Sequence, residues 1–418
     1  MTRINKEACF SELPAPWPRN LLTGIRKAVA ASAKKIVVLD DDPTGTQTVH
    51  GVSVLTDWSV EILAKVLDGE SRMFFILTNS RSLNADMAES LNREVASNLA
   101  EAARRTGTEF ELISRSDSTL RGHYPDEIDW LLDELNLACD GVILVPFFPE
   151  GGRYTLNDIH YVAEGAWLVP AGDTEFALDP TFGYRHSNLR EWVAEKTEGR
   201  YQSEEVASIS LEDLRTRGPD AALDTLMGLH GRQPCVVNAA DYRDLEVFVT
   251  ALLKAQALGK SFIYRTAASF VRVRGGISPR PLLTRPAMLE TDNPKQAGLM
   301  IVGSYVGKTT RQLKALMDAG LVQAIELSVS ALLDPNSFDQ EVIRCLKLVE
   351  QSMSSGGHAA VFTSREIIKP GEKDEFLQIG QTISKGLVAL VKGLTVQPAW
   401  LVAKGGITSS VIATQGLG

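Results

Sequence analysis

The stretch Lys35–Gln47, KIVVLDDDPTGTQ, carries the pattern that decides the fold. A short run of apolar, mostly β-branched residues ends in three aspartates and a turn that contains proline and glycine. Such a run, bounded by turn residues, is typical of a strand that is buried on both faces of a parallel sheet. Because ligands bind beyond the carboxyl ends of such strands, the residues after Asp40 are the first place to look for a site.

Similar apolar runs alternate with longer amphipathic segments along most of the chain, which is the pattern of β-α units around a parallel sheet. Helices are predicted over residues 84–105, 125–136 and 242–258. The predicted strands of the first half read KIVVLD, GVSVLT, MFFILTN, FELISR, GVILVPFF, CVVNA and SFIYRT. The alternation restarts at Gly298 with GLMIVGS, AIELSV, AAVFTS and AWLVAKGG. The sequence therefore predicts an α/β protein with two doubly wound, mainly parallel-sheet domains and a ligand cleft between them.

The length of 418 residues exceeds what one hydrophobic core usually fills, which favours two or three domains. Residues 275–298 are dense in proline and glycine and lack sustained periodicity, as expected of a linker. We predict a first domain over residues 1–280, a linker over 281–298 and a second domain over 299–418.

Composition argues against several classes of protein. A net charge of −9 disfavours a broad nucleic-acid interface. The four cysteines lie far apart and show no zinc-ligand spacing. The N-terminus lacks the apolar run of a secretory signal, and no segment is apolar enough to span a bilayer. We therefore expect a cytoplasmic protein with reduced thiols and with neither a nucleic-acid nor a membrane partner.

Three aspartates, Asp40, Asp41 and Asp42, follow the first predicted strand. Clustered carboxylates repel one another, and a Mg²⁺ ion or a substrate hydroxyl that donates to them would take up part of the charge. A solvated acidic turn, with one aspartate capping the next helix, explains the same residues equally well. No metal-ligating residue is assigned on this pattern.

The stretch Ser114–His123, SRSDSTLRGH, follows another strand and combines two guanidiniums, one carboxylate and several hydroxyls. This mixture suits a small polyhydroxy acid, because Arg115 or Arg121 can hold a carboxylate and Asp117 can accept a proton from a reacting alcohol. Alternatively, Asp117 caps a helix and the arginines lie on the surface. Polar residues also end the strands before residues 78–82 and 146–158. Together these strand ends predict one polar pocket, although each alone is ordinary loop chemistry.

Two turns of the second domain are candidates for a phosphate site. Gly303–Thr310, GSYVGKTT, resembles a P-loop, but three residues separate its first glycine from Gly-Lys-Thr where that motif needs four, so the P-loop is rejected. A turn that offers N–H groups to a nucleotide and a simple helix cap both remain open for it. Residues 404–410, KGGITSS, contain two glycines that would let a phosphate approach the backbone, although such pairs are common in turns.

Taken in order, these motifs resemble those of the four-carbon acid sugar kinase family, from about Lys35 onward. The matching positions are Asp-Asp-x-Thr-Gly at 41–45, Ser-Arg-Ser at 80–82, Asp-Ser-Thr-x-x-Gly at 117–122, Pro-x-x-Pro-x-x-Gly-Arg at 146–153 with Asp158, Gly-Ser at 303–304 and Gly-Gly-x-Thr-Ser at 405–409. The chain departs from the family at Asp42-Pro43, where an aromatic residue or leucine commonly follows the aspartate pair, and at Ile407, where many members have glutamate. Members also continue beyond the position of Gly418, so the second domain is expected to lack its usual C-terminal end.

The resemblance implies an ATP-dependent kinase that phosphorylates the terminal hydroxyl of a four-carbon sugar acid of the threonate, erythronate or 3-oxo-tetronate type, using ATP and Mg²⁺. The predicted catalytic residue is Asp117, with Asp42 as the alternative. Predicted substrate ligands are Asp41, Arg81, Arg115, Ser118, Thr119, Arg121, Gly122 and Arg153. Predicted ATP contacts are Ser304, Gly405, Gly406, Ile407, Thr408 and Ser409.

Two other classes of protein compete with the kinase. The first is a non-catalytic sugar-acid or nucleotide-binding protein derived from the same family. The second is a dehydrogenase, which has little support because the first strand ends in Asp-Asp-Asp-Pro-Thr-Gly rather than Gly-x-Gly-x-x-Gly. A homodimer remains open.

Overall fold

The computed structural model describes residues 3–284, 287, 297–304, 306–365 and 373–417, without the side chains of 373–377 and Ile407. The chain divides into two compact units, Met1–Arg280 and Pro281–Gly418. Residues 285, 286 and 288–296 of the predicted linker lie outside the described residues.

The strands of the first unit form two sheets. Its strands are β1 Ile4–Asn5, β2 Lys35–Asp40, β3 Ser53–Leu55, β4 Met73–Leu77, β5 Phe110–Arg115, β6 Gly141–Val145, β7 Arg153–Leu156, β8 Ile159–Glu164, β9 Trp167–Pro170, β10 Ala207–Ile209, β11 Gln233–Val237 and β12 Phe262–Thr266. The larger sheet is eight-stranded and parallel throughout, in the order β10-β11-β6-β12-β5-β2-β4-β3.

Helices cover both faces of this sheet. The helices of the first unit are α1 Lys6–Ser11, α2 Leu22–Ala31, α3 Val60–Asp68, α4 Ala85–Thr106, α5 Asp126–Glu134, α6 Leu189–Lys196, α7 Pro219–Gly228, α8 Tyr242–Ala257 and α9 Ala268–Arg274. In β2, Ile36 and Val38 belong to one hydrophobic cluster, whereas Val37 and Leu39 belong to the other. Because both sets are buried, the strand reads as one continuous apolar run.

The smaller sheet is antiparallel, in the order β1-β9-β8-β7, and the sequence analysis did not predict it. Its β7–β8 hairpin turns through Asn157 and Asp158, which have positive φ values of 50° and 64°. Two left-handed residues between paired strands are the usual solution for a tight hairpin, and asparagine and aspartate tolerate that conformation. The Asn238 amide donates to Asp158 Oδ1 at 2.8 Å, so Asp158 fastens the hairpin to the end of β11.

The second unit contains a four-stranded parallel sheet in the order β14-β15-β13-β16. Its strands are β13 Gly298–Val302, β14 Gln323–Leu327, β15 Ala359–Thr363 and β16 Trp400–Lys404. Its helices are α10 Gly307–Asp318, α11 Val329–Leu333, α12 Phe338–Ser354, α13 Lys373–Lys392 and α14 Gly406–Val411. One face carries the main core, and on the other face Leu313 of α10 packs against Val302 and Phe362. The predicted α/β fold with parallel sheets is therefore confirmed.

Candidate functional site

The site of the first unit forms where three parallel strands end side by side. Strand β2 pairs with β4 on one edge and with β5 on the other, so Asp40 lies opposite both Leu77 and Arg115. The segments that follow these strands bring Arg81 within ion-pair distance of Asp41, Asp42 and Asp117. Asp42 also forms an ion pair with Arg115. This edge is the one at which the sequence predicted a polar pocket.

Arg115 is the centre of the acidic cluster. Its Nη1 atom lies 2.9 Å from Asp40 Oδ1 and 2.9 Å from Asp42 Oδ1, and its side chain is only 6% exposed. Arg81 forms a second ion pair with Asp42. Burial raises the pKa of Asp40 to about 7, although the charge of Arg115 opposes that shift. The sequence left open whether a Mg²⁺ ion or a substrate hydroxyl takes up the charge of these aspartates. In the structure the guanidiniums of Arg81 and Arg115 supply the counter-charge.

Ligand atoms of Asp40, Asp41 and Asp42 lie within 4.8 Å of one another, and among the described residues this is the one group of carboxylates close enough to hold a metal ion. Arg115 Nη1 already donates to Asp40 and Asp42, and it lies 3.7 Å from Asp41 Oδ1. A cation would therefore share these carboxylates with a buried positive charge. The residues present do not fit a Mg²⁺ ion held by this cluster.

Asp117 is held in its ionised form. Arg121 Nε donates to Asp117 Oδ2 at 2.7 Å, Thr119 donates to the same oxygen, and Arg81 Nη1 lies 3.6 Å from Oδ1. Burial by itself would raise the pKa of Asp117, but the charges of Arg81 and Arg121 and the hydrogen bonds outweigh it and hold the pKa below its usual value. Asp117 is thus a carboxylate acceptor across the whole physiological pH range.

Two arginines share one aromatic ring beside Asp117. The guanidinium carbons of Arg121 and Arg153 lie 5.2 and 5.3 Å from the centroid of Phe176. Arg121 pairs with Asp117 and lies 3.6 Å from Asp179, whereas Arg153 has no ion pair with any carboxylate of the described residues. Burial lowers the pKa of Arg153, as expected of a guanidinium without a close counter-charge. Arg153 is therefore available to bind an anion.

Three buried polar atoms around Asp117 lack a hydrogen-bond partner among the described residues, namely Asp41 Oδ1, Arg81 Nη1 and Arg153 Nε. Asp41 Oδ1 lies 3.8 Å from Arg81 Nη1, which is too far for a hydrogen bond. Buried polar groups in folded proteins are almost always paired. These atoms consequently mark where a ligand oxygen or hydroxyl would complete the site.

The remaining predicted substrate residues lie in the same loop. Ser118 and Thr119 are buried, and the Thr119 hydroxyl is used to hold Asp117. Gly122 has a φ of 130°, and a Cβ atom there would lie 2.8 Å from Ser116 Oγ and 3.4 Å from Asp41 Oδ2. Glycine is therefore required at this position both for its backbone conformation and for the close approach of Ser116 Oγ.

The second unit brings the predicted nucleotide residues together because β13 and β16 are parallel neighbours that pair Val302 with Lys404. A Cβ atom at Gly405, whose φ is 122°, would lie 3.1 Å from the Ser304 Cβ atom, so the two turns are in contact. Gly406, Thr408 and Ser409 lie in α14. The side chain of Ile407, and Tyr305 of the rejected P-loop, lie outside the described residues.

Sequence reasoning missed several residues around Asp117, and most of them come from the antiparallel hairpin and the segment after it. They are His160, Phe176, Asp179, Tyr184 and Arg265. Arg265 had a usable signal, since it is an arginine inside the apolar strand SFIYRT. The others follow no strand of the parallel sheet, so a search restricted to those strand ends could not find them.

Glu127 gives a prediction for stability. Burial raises its pKa from 4.5 to about 7, and its Oε1 atom has no partner among the described residues. Between these two values the folded state retains a proton that the unfolded state has lost, so the free energy of unfolding falls as the pH rises. We expect Glu127→Gln to reduce this decline by about 1–3 kcal/mol between pH 5 and 8.

The measurement is urea unfolding at several pH values, followed by tryptophan fluorescence. Five of the six tryptophans precede Arg280, so the signal reports mainly on the first unit. A decline in the variant as steep as that of the wild-type protein would show that Glu127 is not the group responsible.

Comparisons with known proteins agree with the order of the two units. A model described as a sugar-binding N-terminal domain matches residues 36–274, and one described as a nucleotide-binding C-terminal domain matches residues 299–418. A curated D-erythronate kinase of Heliobacterium modesticaldum is 28% identical over 323 residues. That alignment covers 74% of this chain and 66% of the kinase, which is slightly less than two thirds of its length.

Two solved structures share the fold. A Haemophilus influenzae protein of the DUF1537 family has a TM-score of 0.54 at 19% identity, over 91% of this chain and 88% of its own. A Salmonella typhimurium protein with a provisional tRNA synthase designation has a TM-score of 0.60 at 16% identity, over 92% of this chain and 88% of its own. At such identities the likeness supports the fold alone.

Among the described residues, no helix has the length and apolarity that crossing a bilayer requires. The two matched domain models account for most of the sequence, in the order that the motifs predicted. The chain belongs to the four-carbon acid sugar kinase family, with a sugar-binding N-terminal domain and a nucleotide-binding C-terminal domain.

Proposed function

We propose that this protein is an ATP-dependent kinase that phosphorylates the terminal hydroxyl of a four-carbon sugar acid of the threonate, erythronate or 3-oxo-tetronate type. The observation that carries the proposal is the set of unpaired atoms beside ionised Asp117. Arg81 Nη1 lies 3.6 Å from Asp117 Oδ1 and 3.8 Å from Asp41 Oδ1, and neither Arg81 Nη1 nor Asp41 Oδ1 has a hydrogen-bond partner among the described residues. A hydroxyl there can accept from Arg81 and donate to a carboxylate.

The carboxylate of the acid is assigned to Arg153 and Arg121. Arg153 has no competing carboxylate among the described residues, and Phe176 holds both guanidiniums at similar distances from one ring. Arg115, which the sequence placed in the same role, is assigned instead to the acidic cluster, because it is buried and already paired with Asp40 and Asp42. Phosphate and carboxylate recognition both favour arginine for its planar set of donors.

Asp117 is assigned to orienting the reacting hydroxyl. Its pKa is held below its usual value, so it accepts a hydrogen bond more readily than it removes a proton ahead of phosphoryl transfer. Phosphoryl transfer has a loose transition state, so a carboxylate accelerates it mainly by positioning the attacking hydroxyl. Asp42 suits this role less well, because Arg115 and Thr44 occupy its Oδ1 atom and Arg81 occupies Oδ2.

ATP is assigned to the turn at Ser304 and Gly405–Ser409. The support is the match of the nucleotide-binding domain model to residues 299–418 and the contact between Ser304 and Gly405. Mg²⁺ usually reaches kinases on the phosphates of ATP, where it neutralises charge during transfer. The Asp40–Asp42 cluster is given no part in holding it.

Gly406→Val tests the nucleotide assignment. The added side chain stands where a phosphate would approach the backbone, so ATP binding should weaken by roughly 1–3 kcal/mol, the cost of charge-assisted hydrogen bonds left unmade. Binding of the acid should be unchanged. Separate calorimetric titrations of the two ligands measure both effects. Full ATP affinity in the folded variant would place the phosphates elsewhere.

We also propose a cytoplasmic protein that works without a nucleic-acid or membrane partner. The four cysteines are free thiols, as expected in a reducing compartment, and ATP is available there. A homodimer stays a prediction.

The proposed activity is tested by ATP consumption in the presence of a panel of four-carbon acids that differ in stereochemistry and oxidation. We expect one or a few members to stimulate ADP formation well above the rate with ATP alone. If acids bind calorimetrically but none stimulates ADP formation, the non-catalytic alternative replaces the kinase.

A further inference from the structure

The loop after β5, residues 117–122 and here called the substrate loop, is held by its backbone carbonyl groups. His160 on β8 donates from Nε2 to the Ser118 carbonyl at 2.7 Å. The Tyr184 hydroxyl donates to the Thr119 carbonyl at 2.8 Å. Both donors come from the segments that sequence reasoning did not connect with the site, so these two carbonyl groups are held from outside the parallel strands.

Arg265 holds two more carbonyl groups of the substrate loop. Its Nη2 atom donates to the Arg121 carbonyl at 3.0 Å, and its Nη1 atom lies 3.4 Å from the Asp117 carbonyl. The side chain is 1% exposed, forms no ion pair with a described carboxylate and lies over the ring of Trp192. Burying an unpaired guanidinium is costly, which indicates that these carbonyl contacts are its main polar partners.

The hydrogen-bond roles of His160 follow from its two partners. A carbonyl can only accept, so Nε2 carries the proton and Nδ1 accepts from the Thr155 hydroxyl at 3.0 Å. Burial lowers the pKa of His160 to about 4, and the ring is therefore neutral near pH 7. His160 Nε2 therefore donates to the Ser118 carbonyl throughout the physiological pH range.

Fixing the carbonyl groups also fixes the direction of the N–H groups. In a trans peptide the C=O of one residue and the N–H of the next point in opposite directions. The N–H groups of Ser118, Thr119 and Gly122 consequently point away from His160 and Arg265, which hold the preceding carbonyls. The Thr119 carbonyl that Tyr184 holds precedes the N–H of Leu120, which donates to the Asp117 carbonyl at 3.1 Å, so Tyr184 fixes the turn between these N–H groups. None of the N–H groups of Ser118, Thr119 and Gly122 has an acceptor among the described residues, and Thr119 is fully buried from bulk water. Unpaired buried N–H groups are rare and call for a ligand or an ordered water.

We propose that His160, Tyr184 and Arg265 are positioning residues that hold the substrate loop with its N–H groups towards oxygen atoms of the sugar acid and with Asp117 at the reacting hydroxyl. The inference rests on the proposed function, because the acid is what supplies the acceptors. It adds a second means of recognition to the guanidiniums of Arg121 and Arg153, one that depends on backbone geometry rather than on side-chain charge.

Tyr184→Phe is the mildest test, because it removes one hydroxyl and nothing else. Tyr201→Phe is the matched control, since the Tyr201 hydroxyl also donates to a backbone carbonyl, that of Arg232, at 3.2 Å. We expect Tyr184→Phe to raise both the calorimetric Kd and the KM for the acid by about tenfold and to leave the KM for ATP unchanged. Tyr201→Phe should leave the Kd and KM for the acid and the KM for ATP unchanged. It should shift the thermal midpoint of unfolding about as much as Tyr184→Phe does.

A series at His160 separates positioning from folding. The amide of glutamine reaches the place of Nε2 and can still donate to Ser118, whereas the amide of asparagine reaches only the place of Nδ1. We expect His160→Gln to retain the acid affinity within about threefold and His160→Asn to lose about tenfold, at equal folded fractions. Rescue by glutamine alone is a pattern that general destabilisation does not produce.

The proposal is overturned if wild-type protein turns over an acid and Tyr184→Phe matches Tyr201→Phe in its acid constants, or if His160→Asn equals His160→Gln. A wild-type protein that binds no four-carbon acid would instead refute the proposed function, and the positioning role would fall with it. The two failures are distinguishable because only the first leaves wild-type activity in place.

Discussion

Asp117→Asn should lower kcat by about 10²-fold, because loss of the group that orients the reacting hydroxyl misplaces it and such misplacement typically costs about that much. The carboxylate accepts hydrogen bonds from Arg121 and Thr119 and is held ionised, so its remaining capacity is available to the reacting hydroxyl. Asparagine keeps the shape of the side chain and loses the charge. The KM for ATP should change little. Steady-state rates at saturating acid and ATP measure the effect.

Asp42→Asn is the comparison, because Asp42 was the alternative catalytic residue and its oxygens already have partners in Arg81, Arg115 and Thr44. Its loss should disturb the acidic cluster and lower kcat by less than the Asp117 variant does. If Asp117→Asn kept near-normal turnover while Asp42→Asn abolished it, the two roles would have to be exchanged.

Arg153→Ala should raise the KM for the acid by about 10- to 100-fold, which corresponds to roughly 1.4–3 kcal/mol for a charge-assisted hydrogen-bonded pair. Arg153 forms no ion pair with a described carboxylate, so its removal breaks no internal ion pair there. The KM for ATP should stay the same. Arg121→Ala should raise the KM for the acid to a similar extent and also lower kcat, because Arg121 Nε donates to Asp117.

Arg153→Lys provides the control for charge alone. Lysine keeps the positive charge but lacks the planar pair of donors that binds a carboxylate through two parallel hydrogen bonds. We expect it to recover only part of the affinity. If the KM for the acid and the KM for ATP rose equally in a folded Arg153→Ala protein, the carboxylate of the acid would not bind at Arg153.

The parallel sheets could be predicted because their strands are buried on both faces and read as apolar runs. The helix at residues 84–105, for instance, is observed as Ala85–Thr106, capped by Asn84. The antiparallel hairpin was missed because its strands, RYTL and IHYVAE, are short and mix polar with apolar residues. Its tight Asn157-Asp158 turn was in the sequence, but the turn was assigned to a family motif rather than to strand pairing.

For the site, the sequence could nominate residues at strand ends but not their pairing. Arg115 and Arg121 look equivalent in SRSDSTLRGH, yet strand β5 buries the first against Asp40, while the loop carries the second to Phe176. His160 and Tyr184 act through backbone carbonyls 42 and 65 residues away in the chain. Contacts of that kind leave no spacing in the sequence, because they depend on how the hairpin docks on the sheet.

The central claim, that the first domain presents a terminal hydroxyl of a four-carbon acid for phosphorylation, is tested most directly by identifying the product. Wild-type and Asp117→Asn proteins are incubated with ATP, Mg²⁺ and each acid of the panel, and the reaction is analysed by mass spectrometry and phosphorus NMR. The account predicts that at least one acid gains a single phosphoryl group on its terminal carbon with the wild-type protein and far more slowly with the variant. ATP hydrolysis without a phosphorylated acid, or phosphorylation at the carboxylate end, would contradict it.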